Sequence, residues 1–442
     1  MTRSTTRPAK PTERGSERRS ERGVAVLLIV AVMAVLGPFV ATFNYQARVD
    51  WQSAVNVRDE VAARNLERGA LRLSLLLFEL QRRVFNQKQF RDMVGSMDIT
   101  QVAPYLMSVF GSSDGADMLG DLVGIDAKIF SDLAIEGGSF DVNLEAESGK
   151  LNVNCLADQK TTGDAPARRV VEVLEAIMAP TLYNPLFEEE KSDGQRYSRR
   201  DVIVAMADYI DGDNKVFDIV KLAAGSRNEN YRYQELWDPY EPRNARLDSL
   251  EELHLVEGID DDWMAAFGGY LTVYGGCKIN LNFASAEQIA FVLRHAVSSA
   301  DKWKTEGQEF LLKTMPLANY VVEYRTFSLF KSLKDFKEFV AKPDAYLNPL
   351  ALLQGEDGAS ANPTNLRIPE GIEVRVSPGT RKDGTRWGGL EEVATVAPER
   401  IYRVEIVTEV GAVRKRLTAV YDMQFPRSQS AGKGAWLYYR ED

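Results

Sequence analysis

The chain has 442 residues, 45% of them hydrophobic, which is enough for a substantial core and two or three domains. Its net charge of -10 argues against nucleic acid as a partner, and two histidines are too few for a histidine-rich metal site. There is no nucleophile-elbow segment, phosphate loop, paired Cys-x-x-Cys or His-Glu-x-x-His helix, so catalysis has no recognisable seat and the chain reads as a non-enzyme.

Charge is unevenly placed. Residues 1–22 carry Arg3, Arg7, Lys10, Arg14, Arg18, Arg19 and Arg22 against Glu13, Glu17 and Glu21, with almost no apolar content. Such a segment is expected to be a solvated leader, held on the cytoplasmic side by its positive charge. Gly23 to Phe43 then contains no charged residue. At about 1.5 Å per helical residue it matches a hydrocarbon core of about 30 Å. Past Phe43, Ala62, Leu66, Ala70, Leu73, Leu77, Leu80 and Val84 recur at spacings of three and four, with arginines and glutamates on the other faces. One helix is therefore expected from Val24 to Val84, apolar over 24–43 and amphipathic over 44–85, with Pro38 as a point of kinking.

Residues 86–135 mix helical and loop signals, with a loop at Gly111 to Gly115. Ser139 to Ala146 alternates as a strand, Glu147-Ser-Gly149 reads as a turn, and Lys150 to Asn154 as the return strand of a hairpin. Gly149-Lys-Leu-Asn-Val-Asn154 is echoed by Cys277-Lys-Ile-Asn-Leu-Asn282. Helical patterns cover Arg168–Ala179, Arg200–Ile210, Leu247–Leu255, Ala286–Ala300, Trp303–Lys313 and Leu333–Val340. Leu250 to Asp260 leads through a glycine turn like a helix-hairpin-helix, but Glu257, Asp260, Asp261 and Asp262 stand where DNA binding needs cations. After a Gly- and Pro-rich connection over 353–390, Arg400–Glu409 and Arg414–Asp422 alternate as a hairpin with one buried face.

Two side-chain groups stand out. Asp208, Asp211 and Asp213 sit where a helix gives way to a glycine-containing loop. Clustered hard oxygens suit calcium better than zinc or magnesium, and the alternative is a set of solvated acids at a helix end. Cys155 follows the first echo and Cys277 opens the second. If the segment between them starts and returns at neighbouring points the thiols could meet, with two buried free thiols as the alternative.

A short basic leader, Gly23, and an apolar half-helix that continues into an amphipathic half resemble the N-terminus of a type IV prepilin. The resemblance implies cleavage between Gly23 and Val24 by a prepilin peptidase and methylation of Val24. Most pilins carry glutamate at the fifth mature position, which here is Leu28. A buried carboxylate is costly unless paired, and a subunit with nothing above it has no partner for that acid. That departure, the two echoes, Tyr240-Glu-Pro-Arg-Asn244 and the Ser-Leu-Glu-Glu-Leu segment resemble the K-type minor pseudopilin of type II secretion.

The resemblance implies an α+β fold: a pilin-like long helix on a small antiparallel sheet, with a large SAM-like helical domain inserted in the sheet. It sets boundaries at 1–23 (leader), 24–43 (membrane), 44–85 (amphipathic helix), 86–154 (first pilin-like part), 155–365 (insertion, split near 270–285) and 366–442 (rest of the sheet). It further implies calcium in the helical domain, held by the Asp-rich turn and a downstream acid. In this chain Arg227 occupies that acid's place, and Glu229 substitutes only if the loop shifts. Implied partners are the minor pseudopilins of types I and J, the pseudopilus subunits and the prepilin peptidase. The implied location is the bacterial inner membrane, single-pass, N-terminus cytoplasmic and globular part periplasmic. Two rivals are a minor pilin of a type IV pilus system and a signal-anchored periplasmic enzyme.

Overall fold

The computed structural model describes residues 14–94, 96–110, 138–158, 166–192, 194–234, 238–297, 307–343, 373–380, 386–424 and 434–442. Helix α1 (Arg14–Leu80) is 67 residues long and contains Pro38. It starts at Arg14, inside the expected leader. Side chains from Gly23 to Arg58 are exposed apart from half-buried Val55; Asp59 is buried, and Ala63 begins a continuous packed stripe. The helix ends in a π-turn (Gln81–Phe85), where buried Gln81 accepts the backbone N–H of Ile99 at 2.7 Å. That bond fixes the short helix α2 (Lys88–Val94) and α3 (Ile99–Phe110) against the end of α1.

Strand β1 (Gly138–Ala146) leaves the sheet through a 3-10 turn at Glu147–Gly149, and β2 (Leu151–Asn152) follows. The expected hairpin between these two segments does not form. β1 pairs instead with the distant strand Ile401–Val410, and β2 runs parallel to Leu271–Thr272. Packing at the turn explains the exit: a Cβ on Gly149 would lie 2.4 Å from the Phe283 carbonyl oxygen, so the chain is pressed against the second echo rather than folded back on β1.

The helical lobe is built twice over. The first unit contains β2, α4 (Pro166–Met178), α5 (Arg199–Ile210), a hairpin of β3 (Lys215–Asp218) and β4 (Ala223–Asn228), a 3-10 turn (Leu250–Leu255), α6 (Asp261–Phe267) and β5 (Leu271–Thr272). The second contains β6 (Ile279–Asn280), α7 (Ala286–Ala296), α8 (Gly307–Arg325), α9 (Leu333–Ala341), α10 (Leu390–Val393) and β7 (Ala394–Thr395). Each unit is closed by a two-residue parallel pair, β2 with β5 and β6 with β7. One continuous core runs from Leu151 to Ala394.

The echoed asparagines do the same work in both units. Asn152 accepts the Asn154 N–H at 3.0 Å, and Asn280 accepts that of Asn282 at 3.1 Å. Asn154 donates to the Leu247 and Val273 carbonyls and accepts the Leu247 N–H; Asn282 donates to those of Phe330 and Val396 and accepts the Phe330 N–H. Buried amides with their hydrogen bonds met in this way fix the lobe's strands to its loops.

The chain then completes the sheet with β8 (Ile401–Val410), β9 (Val413–Asp422) and β10 (Ala435–Glu441), in the antiparallel order β1-β8-β9-β10. Tyr402, Val404 and Ile406 face inward, as their alternation requires, and meet Ala70, Leu73, Leu77 and Phe78 of α1. Phe78 stacks between Tyr402 and Tyr421, with centroids 5.1 Å from each. Glu147 joins sheet to lobe: it is buried, accepts Arg403 Nε at 2.6 Å and receives the Thr272 hydroxyl.

Candidate functional site

The N-terminal junction lies within α1. Gly23 is helical, with open space around it, and Val24 and Leu28 are exposed along an uncharged stretch. This is the one helix among the described residues that is long and apolar enough to cross a membrane, and its apolar window is wholly unburied.

The acidic cluster sits at the end of α5. Ser198 and Asp201 form a capping box at the helix start, and the last backbone bond, Asp211 N–H to the Ala207 carbonyl, is 2.9 Å. Beyond it the turn folds on its own acids: Asp213 N–H points to Asp211 and Lys215 N–H to Asp213. Asp208 accepts the Phe217 N–H at 2.5 Å, tying β3 to the helix, and is not in the close group of acids that follows. A register shift between Lys215 and Phe217 offsets β3 against β4, and the Glu229 N–H reaches the Asn214 carbonyl at 3.3 Å. Glu229 thereby comes into the turn. Carboxylate oxygens of Asp211, Asp213 and Glu229 all lie within 4.8 Å of one another.

The donor set fits a hard cation. Calcium holds oxygens at about 2.3–2.6 Å, so two ligands of one ion are at most about 5 Å apart. Glu229 is fully buried, and neither of its carboxylate oxygens has a hydrogen-bond partner among the described residues. Burial first, then the charges of Asp211, Asp208 and Asp213, push its carboxyl up to about 8. A group this strained in its charged form is what a bound divalent ion relieves. Asn244, from the Tyr240-Glu-Pro-Arg-Asn244 segment, closes the loop with a 2.7 Å bond to Asn214.

Cys155 and Cys277 form a disulfide with Cα atoms 5.7 Å apart, closing a separation of 122 residues around the first unit of the lobe. In the chain-entropy account a loop of that size is stabilised by about 4–5 kcal/mol.

A further polar cluster gave no sequence signal. His295, in the last turn of α7, lies 2.9 Å from Glu172 of α4 and 3.4 Å from Glu392 of α10. It ties the first unit, the second unit and the returning chain together. Gly388 makes room for it, since a Cβ there would fall 2.5 Å from the His295 carbonyl oxygen. Burial pulls the imidazole's pKa down, but the hydrogen bonds and charges of Glu172 and Glu392 outweigh that and hold it at about 9.

These features define a class: a membrane-anchored, pilin-like α+β protein with a disulfide-clamped helical lobe inserted in its sheet. Residues 149–276 match the family model for protein K of the type II secretion system. The matched span takes in the first unit of the helical lobe and both of its cysteine-flanking strands, so this unit is similar to that of protein K of the type II secretion system. Among solved structures the chain is similar to a chain of the GspK-GspI-GspJ complex of the enterotoxigenic Escherichia coli type 2 secretion system. The two are 15% identical, with a TM-score of 0.39, over 70% of this chain and 81% of that one. No curated protein matches the sequence.

The His295 cluster makes a signed prediction. A histidine raised from 6.5 to about 9 contributes stability that is fully present below 6.5 and lost as pH rises through 9. His295→Gln should therefore destabilise the protein by roughly 3 kcal/mol at pH 6 in denaturant unfolding, with the difference from wild type shrinking toward pH 9.5. A loss that is the same at both pH values would contradict the ion-pair account.

Proposed function

We propose that this chain is a minor pseudopilin of the K type that starts and caps the periplasmic pseudopilus, acting by assembly and not by catalysis. The observation that carries this reading is the combination of an uncharged helical stretch, Gly23 to Phe43, lacking the usual acid at Leu28, with a two-unit lobe set between adjacent strands of the pilin-like sheet. The exposed face of α1 packs laterally on neighbouring helices, while the missing carboxylate leaves no demand for a subunit above. The N-terminus lies in the cytoplasm and the globular part in the periplasm, as the basic residues before Gly23 favour. The partners are minor pseudopilins of the I and J types. They fit because the protein K in the similar complex is assembled with GspI and GspJ.

Two chemical events belong to this reading. Prepilin peptidase cleaves between Gly23 and Val24, and Val24 is then methylated. Co-expression of the full chain with a prepilin peptidase should shorten it by 23 residues. N-terminal sequencing should begin at Val24, and Gly23→Glu should abolish the shift. A chain that keeps its original N-terminus whatever stands at 23 would favour a signal-anchored enzyme instead.

Calcium binding belongs to this reading as well. Asp211, Asp213 and Glu229 would hold it, and the ion would neutralise three carboxylates that otherwise repel one another. At a hundredfold excess over its Kd, calcium should add about 2.7 kcal/mol of stability to the chelator-treated protein. Glu229→Gln should remove most of that gain while leaving the His295 pH dependence in place. Equilibrium dialysis showing no bound calcium, with no gain in stability, would remove the site.

A further inference from the structure

Arg325 is the last residue of α8, 8% exposed, and lines a cleft of about 440 Å³ between α3, β1 and the second unit of the lobe. Its Nη1 donates to the Leu281 carbonyl at 2.6 Å, but its Nε has no hydrogen-bond partner among the described residues. No carboxylate among those residues lies within ion-pair distance of it. Glu145, which lines the same cleft, is taken by Lys150 at 2.7 Å. Withdrawing a guanidinium from water without a counter-ion is costly, and natural proteins almost always pair such a group. Burial alone accordingly pulls Arg325 down to about 10.

The other polar groups of the cleft are already committed. The Thr100 hydroxyl donates to Asp98 at 2.9 Å, the Gln101 amide donates to the Arg325 carbonyl, and the Thr326 hydroxyl donates to the Glu323 carbonyl. The remaining wall is largely apolar, with Leu144, Val322 and Leu329 prominent, and its mouth is marked by exposed Pro104, Glu145 and Thr326. One uncompensated cation with N–H donors unspent beyond its bond to the Leu281 carbonyl, set in an apolar wall, selects a single negative charge on an apolar body. A doubly charged phosphate would leave half its charge unmet.

We propose that this cleft is a binding site for a carboxylate carried on an apolar body, with Arg325 as its counter-ion. Two sources share that chemistry, a free aliphatic acid and the C-terminal carboxylate of a peptide chain. The site joins the pilin-like domain to the lobe, because Gln101 of α3 already reaches the Arg325 carbonyl. An occupant would therefore brace the two bodies against each other.

The test is thermal unfolding of the full chain in detergent with four probes: hexanoate, hexanamide, N-acetyl-Ala-Ala-Leu and its C-terminal amide. At a hundredfold excess over Kd a carboxylate should raise Tm by about 3 °C, and its amide should leave it unchanged. A tenfold tighter response to the peptide acid assigns the source to a chain terminus; an equal or tighter response to hexanoate assigns it to a free acid. Arg325→Gln should abolish the carboxylate shift. If that variant does not fold, Val322→Trp, which fills the cleft from one turn back on α8, should abolish it instead. Equal shifts from acid and amide, no shift from either acid, or a shift that survives the loss of Arg325 or the filling of the cleft would overturn the proposal and leave Arg325 as a brace for the Leu281 carbonyl alone.

Discussion

The rest of the structure depends on the pairing of β1 with β8, in register from Gly138 opposite Val410 to Ala146 opposite Tyr402. Everything between residues 146 and 401 must leave the sheet and return to the same edge of one strand. Loop-closure entropy opposes such a return, so the junction needs interactions of its own. The Cys155–Cys277 disulfide closes the first unit at its root, and Glu147 binds Arg403 of the sheet and Thr272 of the lobe at once. Glu147 is fully buried, yet both its oxygens are met, which is the condition under which a buried charge pair holds its place.

The lobe repeats one solution. In each unit an Asn-x-Asn segment gives a two-residue parallel pair, and the second asparagine fastens a following loop by both its amide groups. The two units share one core, with His295 between Glu172 and Glu392 across them, so the lobe is held together as a single body. The sheet below it rests on α1 through Phe78 and its two tyrosines. In the proposed filament, position would be set at one end by the uncharged stretch Gly23 to Phe43 of α1 and at the other by the lobe.

Much of this is legible from residue patterns alone. The spacing of Leu66, Ala70, Leu73 and Leu77 marks the buried face of α1, and the alternation of Tyr402, Val404 and Ile406 marks that of β8. Period-two alternation shows that β1 is a strand but carries no record of its partner, which is why a local hairpin with 150–154 was the natural expectation and a distant pairing the outcome. The echo is visible as a string, whereas its role lies in side-chain bonds to residues about 50 to 120 positions away. Glu229 joins Asp211 and Asp213 only through the offset of β3 on β4, a shift that spacing alone does not reveal. His295 and Arg325 look ordinary in sequence, because what distinguishes them is the burial and the neighbours that the tertiary fold supplies.

The central claim is the subunit's place at the end of the pseudopilus. Single cysteines on the exposed face of α1 and on the outer surface of the lobe, crosslinked in assembled pseudopili, test it most directly. The account predicts crosslinks from α1 to the I- and J-type subunits, none from the lobe to a subunit above, and one copy of the chain per filament. Crosslinks from the lobe to major subunits on both sides, with copies spread along the filament, would contradict it.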